Sequence, residues 1–284
     1  MPARKSQDPG FSFEFFPPKT DKGRTNLKQT LKELGTLGPE YFSVTFGAGG
    51  STQQGTFETV LEIRQSGFNA APHLSCIGST RENIKALLDK YLEHGINRIV
   101  ALRGDMPSGM QEAGEFRHAN ELVSFIREVT GEQFHIEVAA YPEFHPQATS
   151  PGDDISHFKL KVDAGADSAI TQYFYNIDAY LYFVNDCEKQ GIDIPVIPGI
   201  MPITNYTQLA RFSDMCGAEI PRWIRKRLQG FGDDKESIVA FGEEVVTRLC
   251  QQLLDAGAPG LHFYTMNQSR ATSRLWHNLN LSDR

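Results

Sequence analysis

The sequence has no apolar run approaching the roughly 20 residues that a transmembrane helix requires, and its first ten residues contain no apolar signal core. A cytoplasmic protein without a membrane partner is expected. Cysteine is scarce: Cys76, Cys187, Cys216 and Cys250 stand singly, which excludes a CxxC redox or metal pair and a disulfide framework and leaves core thiols. The histidines never form His-x-His or HExxH, so no metal is expected. Basic excess is missing too, since 28 Lys and Arg against 35 Asp and Glu give a net charge of −7, which disfavours nucleic acid or an anionic membrane as partner. No Pro/Gly/Ser-rich linker divides the chain, so residues 1–284 are expected to form a single domain. Without a signal peptide, the Asn-x-Ser/Thr triplets at Asn205, Asn267 and Asn280 are chance.

What is present is an alternation of short β-branched or aromatic runs with stretches of helical period, the pattern of a parallel sheet with crossover helices. Strands are expected at Phe11–Phe16, Tyr41–Phe46, Ala70–Cys76, Arg98–Leu102, Phe134–Ala140, Ser168–Tyr173, Ile194–Pro198 and Gly260–Tyr264. Helices are expected at about Asn26–Leu37, Gln53–Gln65, after a Thr80 cap, Ala119–Glu128, Asp154–Asp163 and Thr207–Ser213, with further helical segments through about Asp255. Eight units of about 35 residues fit a (β/α)8 TIM barrel of class α/β, with extra helices between strands seven and eight.

In such a barrel the ligand site lies where the strands end at their C-termini. Polar residues fall there: Glu14, Thr45, His73, Arg103 with Asp105, Tyr141 with Glu143 and His145, Gln172 and Asn267. The two-residue period of β1 turns Phe11, Phe13 and Phe15 one way and Glu14 the other, into the mouth. A carboxylate among phenylalanines is expected to have its pKa raised by desolvation, as a general acid requires, or else to serve as a structural ion-pair partner. His73 and His145 read as hydrogen-bonding groups. Gly47-Ala48-Gly49 follows a strand but lacks the third glycine and the acidic residue of a dinucleotide fingerprint, leaving an NH-rich loop. Arg222, Arg225, Lys226 and Arg227 form a basic cluster, either a solvated helix face or an attractor for an anionic tail or a second subunit.

Several motifs together resemble one family. They are Phe-Ser-Phe-Glu-Phe-Phe-Pro-Pro-Lys at 11–19, Ser-Val-Thr-Phe-Gly-Ala at 43–48, Ala-Pro-His-Leu-Ser-Cys at 71–76 and Ala-Leu-Arg-Gly-Asp at 101–105. Further along come Ala-Ala-Tyr-Pro-Glu-Phe-His-Pro at 139–146, Lys-Val-Asp-Ala-Gly-Ala at 161–166, Ala-Ile-Thr-Gln at 169–172, Ile-Pro-Gly-Ile-Met-Pro at 197–202 and His-Phe-Tyr-Thr-Met-Asn at 262–267. In this order the chain resembles bacterial methylenetetrahydrofolate reductases over essentially its whole length.

The resemblance implies a barrel that takes hydride from NADH onto noncovalent FAD and passes it, ping-pong fashion, to 5,10-methylenetetrahydrofolate. The product, 5-methyltetrahydrofolate, would supply methyl groups for methionine synthesis. It implies Glu14 as general acid and Asp105 as an anion beside the flavin that favours a cationic intermediate. Flavin contacts are implied at Phe46, Ala48, His73, Arg103, Gly104, Asp105, Tyr141, His145 and Ala148, and also at Ala119, Asp154, His157 and Lys161. Thr45, Gln172, Gln208 and Gln268 would face nicotinamide or pterin, the Gln172 amide matching the pterin's donor and acceptor edge. Two departures from the family pattern are Leu160, where many relatives carry a basic residue, and Gln268, where many carry Arg, with Arg270 nearby as a substitute. The chain stops soon after strand eight, so no C-terminal regulatory domain is expected, while a homo-oligomer is plausible from the family. The alternatives are another FAD-dependent barrel oxidoreductase and a noncatalytic flavin- or folate-binding protein.

Overall fold

A computed structural model describes residues 9–46, 50–104 and 114–281. The elements run β1 (Gly10–Phe15), α1 (Asp21–Gly35), β2 (Tyr41–Val44), α2 (Gly50–Gln65), β3 (Ala70–Ser75), α3 (Arg81–Glu93), β4 (Arg98–Leu102) and α4 (Ala119–Thr130). They continue with β5 (His135–Ala140), α5 (Pro151–Asp163), β6 (Ser168–Thr171), α6 (Ile177–Lys189), β7 (Val196–Ile197), β8 (Gly199–Ile200), α7 (Tyr206–Cys216), α8 (Arg222–Phe231), α9 (Lys235–Asp255), β9 (Gly260–Tyr264) and α10 (Arg270–Asn278). All pairings are parallel, in the order β7-β6-β5-β4-β3-β2-β1-β9-β8, which makes a (β/α)8 barrel with α7 and α8 as the extra helices.

The seventh strand differs from the sequence expectation. Pro198 has no N–H to give a ladder, so the strand divides around it: Val196–Ile197 pair with β6, and Gly199–Ile200 pair with β9. The Pro198 carbonyl still accepts from His262 N–H at 2.9 Å, which carries the hand-over across the break and closes the barrel. Helix starts also lie earlier than the hydrophobic period suggested, because polar first turns are set by caps. Thr20, Thr80, Ser150, Asn176, Asn205 and Asp234 each accept a first-turn N–H at the head of α1, α3, α5, α6, α7 and α9.

Outward-facing strand residues build the core between sheet and helices. Phe13 and Phe15 are fully buried, and Phe11 and Phe13 pack on Trp276 of α10 at ring-centroid distances of 4.9 and 5.9 Å. Cys76, Cys187 and Cys250 are buried in this layer, where burial pushes the Cys76 and Cys187 thiols up to about 12, as inert core thiols require.

The inner face of the barrel is polar. Tyr41 donates to Glu137 Oε2 at 2.7 Å, Arg98 donates to Glu137 Oε1 at 2.9 Å, and Ser168 donates to the same oxygen at 3.2 Å. The Arg98 guanidinium also lies over the Tyr41 ring, 4.4 Å from its centroid. Glu137 is 1% exposed, so these partners are what make a charge tolerable there. Among the described residues no helix is long and apolar enough to cross a membrane.

Gly199 sits at the closing junction, where an added Cβ would fall 2.2 Å from the Thr171 carbonyl oxygen, whereas at Gly230 in α8 nothing lies within 4 Å. Gly199→Ala is therefore expected to cost about 1–3 kcal/mol by overpacking, and Gly230→Ala to gain up to about 1 kcal/mol. Urea denaturation of the two variants checks the contrast.

Candidate active site

The β1–β9 register sets Ser12 opposite His262 and Glu14 opposite Tyr264, so all four turn into the barrel together. Glu14 reaches the mouth and is 16% exposed. Its Oε2 lies 3.2 Å from His73 Nε2 on β3 and 3.6 Å from His262 Nε2 on β9, as ion-pair contacts rather than aligned hydrogen bonds. Burial pushes the Glu14 carboxyl upward, but the two imidazoles close to it outweigh that and hold the pKa at about 2. The expectation of a raised pKa is thus corrected. The phenylalanines face outward as expected, and the local environment of Glu14 is set by histidines from other strands.

The backbone at this corner is held from the last strand. Thr265 donates through Oγ1 to the Glu14 carbonyl at 2.6 Å. Asn267 clamps Phe16, accepting from its N–H at 2.9 Å and donating to its carbonyl at 2.8 Å. To do so Met266 and Asn267 take positive φ of 53° and 55°, a strained pair of the kind found where a turn is positioned by its contacts.

Beside this corner a second group of polar residues lines the ends of β4 and β5. Arg103 donates to Gln147 Oε1 at 2.7 Å, the Tyr141 and His145 rings meet edge to face at 4.6 Å, and Asp154 accepts from His145 N–H at 3.2 Å. His118, which caps α4 just before Ala119, stacks with His157 at 6.5 Å. Lys161 donates to the Ala139 carbonyl at 2.5 Å, and burial brings its pKa down to about 8 against the opposing charge of Asp154. Gly104 has φ +81°, and a Cβ there would strike Ser75 Oγ at 1.9 Å, so backbone alone fits at this strand end. Tyr141, Phe144, Asp154, Tyr182 and Phe183 line an adjoining cleft of about 380 Å³. Imidazoles, a guanidinium and a buried amine as donors, with a backbone that admits close approach, suit a planar heteroaromatic ligand carrying an anionic tail, as FAD does.

The remaining sequence-predicted residues are more dispersed. Thr45 and Phe46 end the β2 segment and are half-buried, as are Ala119, Ala148 and Gln172. Gln172 binds the Ala140 carbonyl through its N–H at 2.8 Å, which fixes it at the end of β6. Gln208 in the first turn of α7 and Gln268 after β9 are exposed, as is His157. Leu160 is exposed while the lysines on either side differ in environment, Lys159 pairing with Asp163 at 2.8 Å and Lys161 turning inward. Arg222, Lys226 and Arg227 lie on the exposed face of α8, in keeping with a solvated helix face. Ala48, Gly47, Gly49 and Asp105 lie outside the described residues. His262, Tyr264 and His118 were missed by the sequence reading. The first two carried a usable signal, because His262 and Tyr264 alternate with Leu261 and Phe263 and so share a face with any inward residue of the neighbouring strand.

The methylenetetrahydrofolate reductase family model matches residues 2–280. The 5,10-methylenetetrahydrofolate reductase of Escherichia coli strain K12 is 39% identical over 269 residues, covering 94% of this chain and 90% of its own. That of Buchnera aphidicola subsp. Acyrthosiphon pisum is 41% identical over 274 residues, covering 95% and 91%.

The chain belongs to the methylenetetrahydrofolate reductase family.

Membership makes it an enzyme of the oxidoreductase class. Methylenetetrahydrofolate reductase (NADH) 1 of Arabidopsis thaliana is 39% identical across 96% of this chain, which spans 48% of the plant protein. Among solved structures, a Clostridium thermocellum protein described as binding two copies of 5-methyl-5,6,7,8-tetrahydrofolic acid superposes with a TM-score of 0.67 at 15% identity, covering 97% of this chain and 94% of its own. At that identity it supports the fold of this reductase-family member alone.

Because the Glu14 carboxyl has a pKa of about 2 in the folded barrel against 4.5 ordinarily, its stabilising contribution is complete above about pH 4.5 and lost as pH falls toward 2. Glu14→Gln removes a titrating group, so the urea midpoint of the parent protein is expected to fall more steeply than the variant's between pH 4.5 and 2. Parallel curves would show that the imidazoles do not hold the carboxylate.

Proposed function

We propose that the protein reduces 5,10-methylenetetrahydrofolate to 5-methyltetrahydrofolate with hydride taken from NADH on a noncovalently bound FAD, in two alternating half-reactions, feeding methyl groups toward methionine synthesis. The chain acts as one catalytic domain in the cytoplasm. The observation that carries this reading is Glu14, an almost buried carboxylate flanked by His73 and His262 at the barrel mouth, next to the donor-lined groove of β4 and β5. The naming of the plant relative for NADH supports the nicotinamide donor.

The groove residues Phe46, His73, Arg103, Gly104, Tyr141, His145 and Ala148, together with Ala119, Asp154, His157 and Lys161, would hold the flavin, with Ala48 and Asp105, which follow Phe46 and Gly104 in the sequence, as further contacts. When bound, FAD supplies the hydride. The protein's own part is binding, orientation and proton handling. Gln172 pairs with the pterin edge, Thr45, Gln208 and Gln268 flank the substrate and nicotinamide positions, and the Asp105 charge favours a cationic substrate. Glu14 gives a proton from Oε2 to the departing folate nitrogen as the bridge carbon's bond to it breaks, the bonding electron pair staying on that nitrogen. The lone pair of the other bridging nitrogen forms the iminium that then accepts hydride to become the methyl group. Thr265 and Asn267 keep the Glu14 backbone in register with the mouth for this delivery.

Glu14→Gln is expected to leave flavin reduction by NADH within about twofold of the parent and to slow reoxidation by methylenetetrahydrofolate by about 100-fold or more, the usual scale of general acid catalysis. Stopped-flow absorbance of each half-reaction reads this, and equal folate turnover would overturn the assignment. Lys161, with its pKa at about 8, attracts an anion only while protonated. FAD affinity of the apoprotein is thus expected to decline above about pH 8, and Lys161→Met to weaken binding at pH 7 by about tenfold, near 1.4 kcal/mol, and to lose that decline. Fluorescence titration with FAD at successive pH values provides the check, and a parent protein with flat affinity would separate Lys161 from the cofactor's anionic part.

A further inference from the structure

Within the barrel Glu14 is held ionised, so a proton has to reach it before it can donate one. His262 stands immediately below it. This imidazole is fully buried, its Nε2 makes no hydrogen bond, and that nitrogen faces Glu14 Oε2 at 3.6 Å. Its other nitrogen, Nδ1, is 2.7 Å from Ser12 Oγ.

A chain of buried groups decides which way that second contact runs. Glu137 is a carboxylate paired with Arg98 and can only accept, so Tyr41 must spend its single hydroxyl proton on Glu137 Oε2 at 2.7 Å. Ser12 stands opposite Tyr41 in the β1–β2 register, beside a phenol oxygen that has only lone pairs left to offer. With its proton turned toward that oxygen, Ser12 Oγ accepts from His262 Nδ1, the arrangement that favours the Nδ1–H form of the imidazole. The nitrogen facing Glu14 is left with either a lone pair or a second proton. A lone pair opposite an ionised carboxylate is repulsive. The stable arrangements therefore hold one proton between Nε2 and Oε2, either as imidazolium with carboxylate or as neutral imidazole with carboxylic acid.

We propose that His262 stores the proton that Glu14 delivers, with the chain Arg98, Glu137, Tyr41 and Ser12 fixing its tautomer. This rests on Glu14 being the general acid. His262 is a positioning residue that acts through Glu14. When a substrate covers the mouth and excludes water, separated charges lose solvation and the pair relaxes toward its neutral form. The proton leaves His262 Nε2, its N–H electrons remaining as the nitrogen lone pair, and joins Glu14 Oε2. Glu14 passes it to the folate nitrogen, and the neutral pair's missing proton is replaced from solvent when the mouth reopens. The 3.6 Å separation is of the length that tightens in a reacting complex. The same logic, in which a buried acceptor fixes one imidazole nitrogen so that the other can move a proton, operates in hydrolase triads.

Other charged or titratable groups surround this pair among the described residues. His73 from β3 approaches the same oxygen at 3.2 Å and is the more exposed of the two imidazoles, on the side of the proposed flavin. Tyr264 on the same strand as His262 is pushed well above its ordinary range by burial and then by the Glu14 charge, so it remains a neutral phenol, donating to the Thr171 carbonyl at 2.8 Å. Tyr41 from β2 is likewise held neutral by burial and by Glu137, and Arg98 and Glu137 from β4 and β5 balance one another.

The test uses the FAD-loaded protein and the variant His262→Asn, whose amide can still donate to Ser12 but cannot store a proton. Flavin reduction by NADH is expected to stay within about twofold. The folate half-reaction is expected to slow at least tenfold at pH 7.5, with the alkaline limb of its pH profile displaced downward by more than one unit. An unchanged profile overturns the inference. Glu14→Gln run alongside separates the two readings: if it retains folate turnover, the general-acid assignment falls, whereas if it is inactive and His262→Asn keeps the parent profile, only the role of His262 falls. A second measurement does not depend on His262→Asn folding. In 15N-histidine-labelled holoenzyme, with the His262 signals assigned by their shift in Ser12→Ala, Nδ1 is expected to carry a proton throughout pH 5 to 9. An unprotonated Nδ1 in that range overturns the inference.

Discussion

A charged carboxylate on the axis of a barrel has to be matched by partners that reach it from other strands, and Glu137 is the group whose matching organises this interior. Arg98 and Ser168 reach it from the two adjacent strands and Tyr41 from β2 farther round the barrel, and the direction of each hydrogen bond follows from its inability to donate. That constraint passes upward through Ser12 to His262 and ends at the mouth. The polar axis thus links the interior's stability to the orientation of its reactive groups. An apolar filling of the same volume would serve packing as well but would leave the imidazole free to take either tautomer.

The outer layer of the barrel has a different task. Its phenylalanines and aliphatic residues bury area against the helices, and their alternation with polar residues is what made β1 and β9 readable. The loops that lead into α1, α3, α5, α6 and α7 each end at a short polar side chain that secures the first turn of the helix, which gives these parts of the mouth defined ends. The groove residues at Arg103, His145, Asp154 and Lys161 are held partly by one another, which gives an anionic ligand a prearranged set of donors and lowers the ordering required on binding.

Much of this was legible in the sequence because strand period and strand-end polarity are local properties. The eight strand positions, the Thr80 cap, the outward turn of Phe13 and Phe15 and the inward turn of Glu14 all follow from residues a few places apart. What was not legible depends on distant partners. The Glu14 environment was misjudged because its own strand offers only phenylalanines, while the histidines that hold its charge lie about 60 and 250 residues away along the chain. His262 itself sits in a motif noted for resemblance, yet its role appears only when the β1–β9 register is known. The division of strand seven was visible as Pro198, but which neighbour each half would join is a matter of barrel closure.

The clamp of Asn267 on Phe16 ties the first strand of the chain to the turn after its last. Synthesis on the ribosome makes Glu14 about 250 residues before its supports, His262, Thr265 and Asn267. Until β9 has emerged and docked, the first strand has an open edge and its carboxylate has neither an imidazole beneath it nor a held backbone. Such long sequence separation slows closure of the barrel, and it also makes competence all-or-none: a nascent or truncated chain can hold most of its helices and strands yet lack the whole reactive corner.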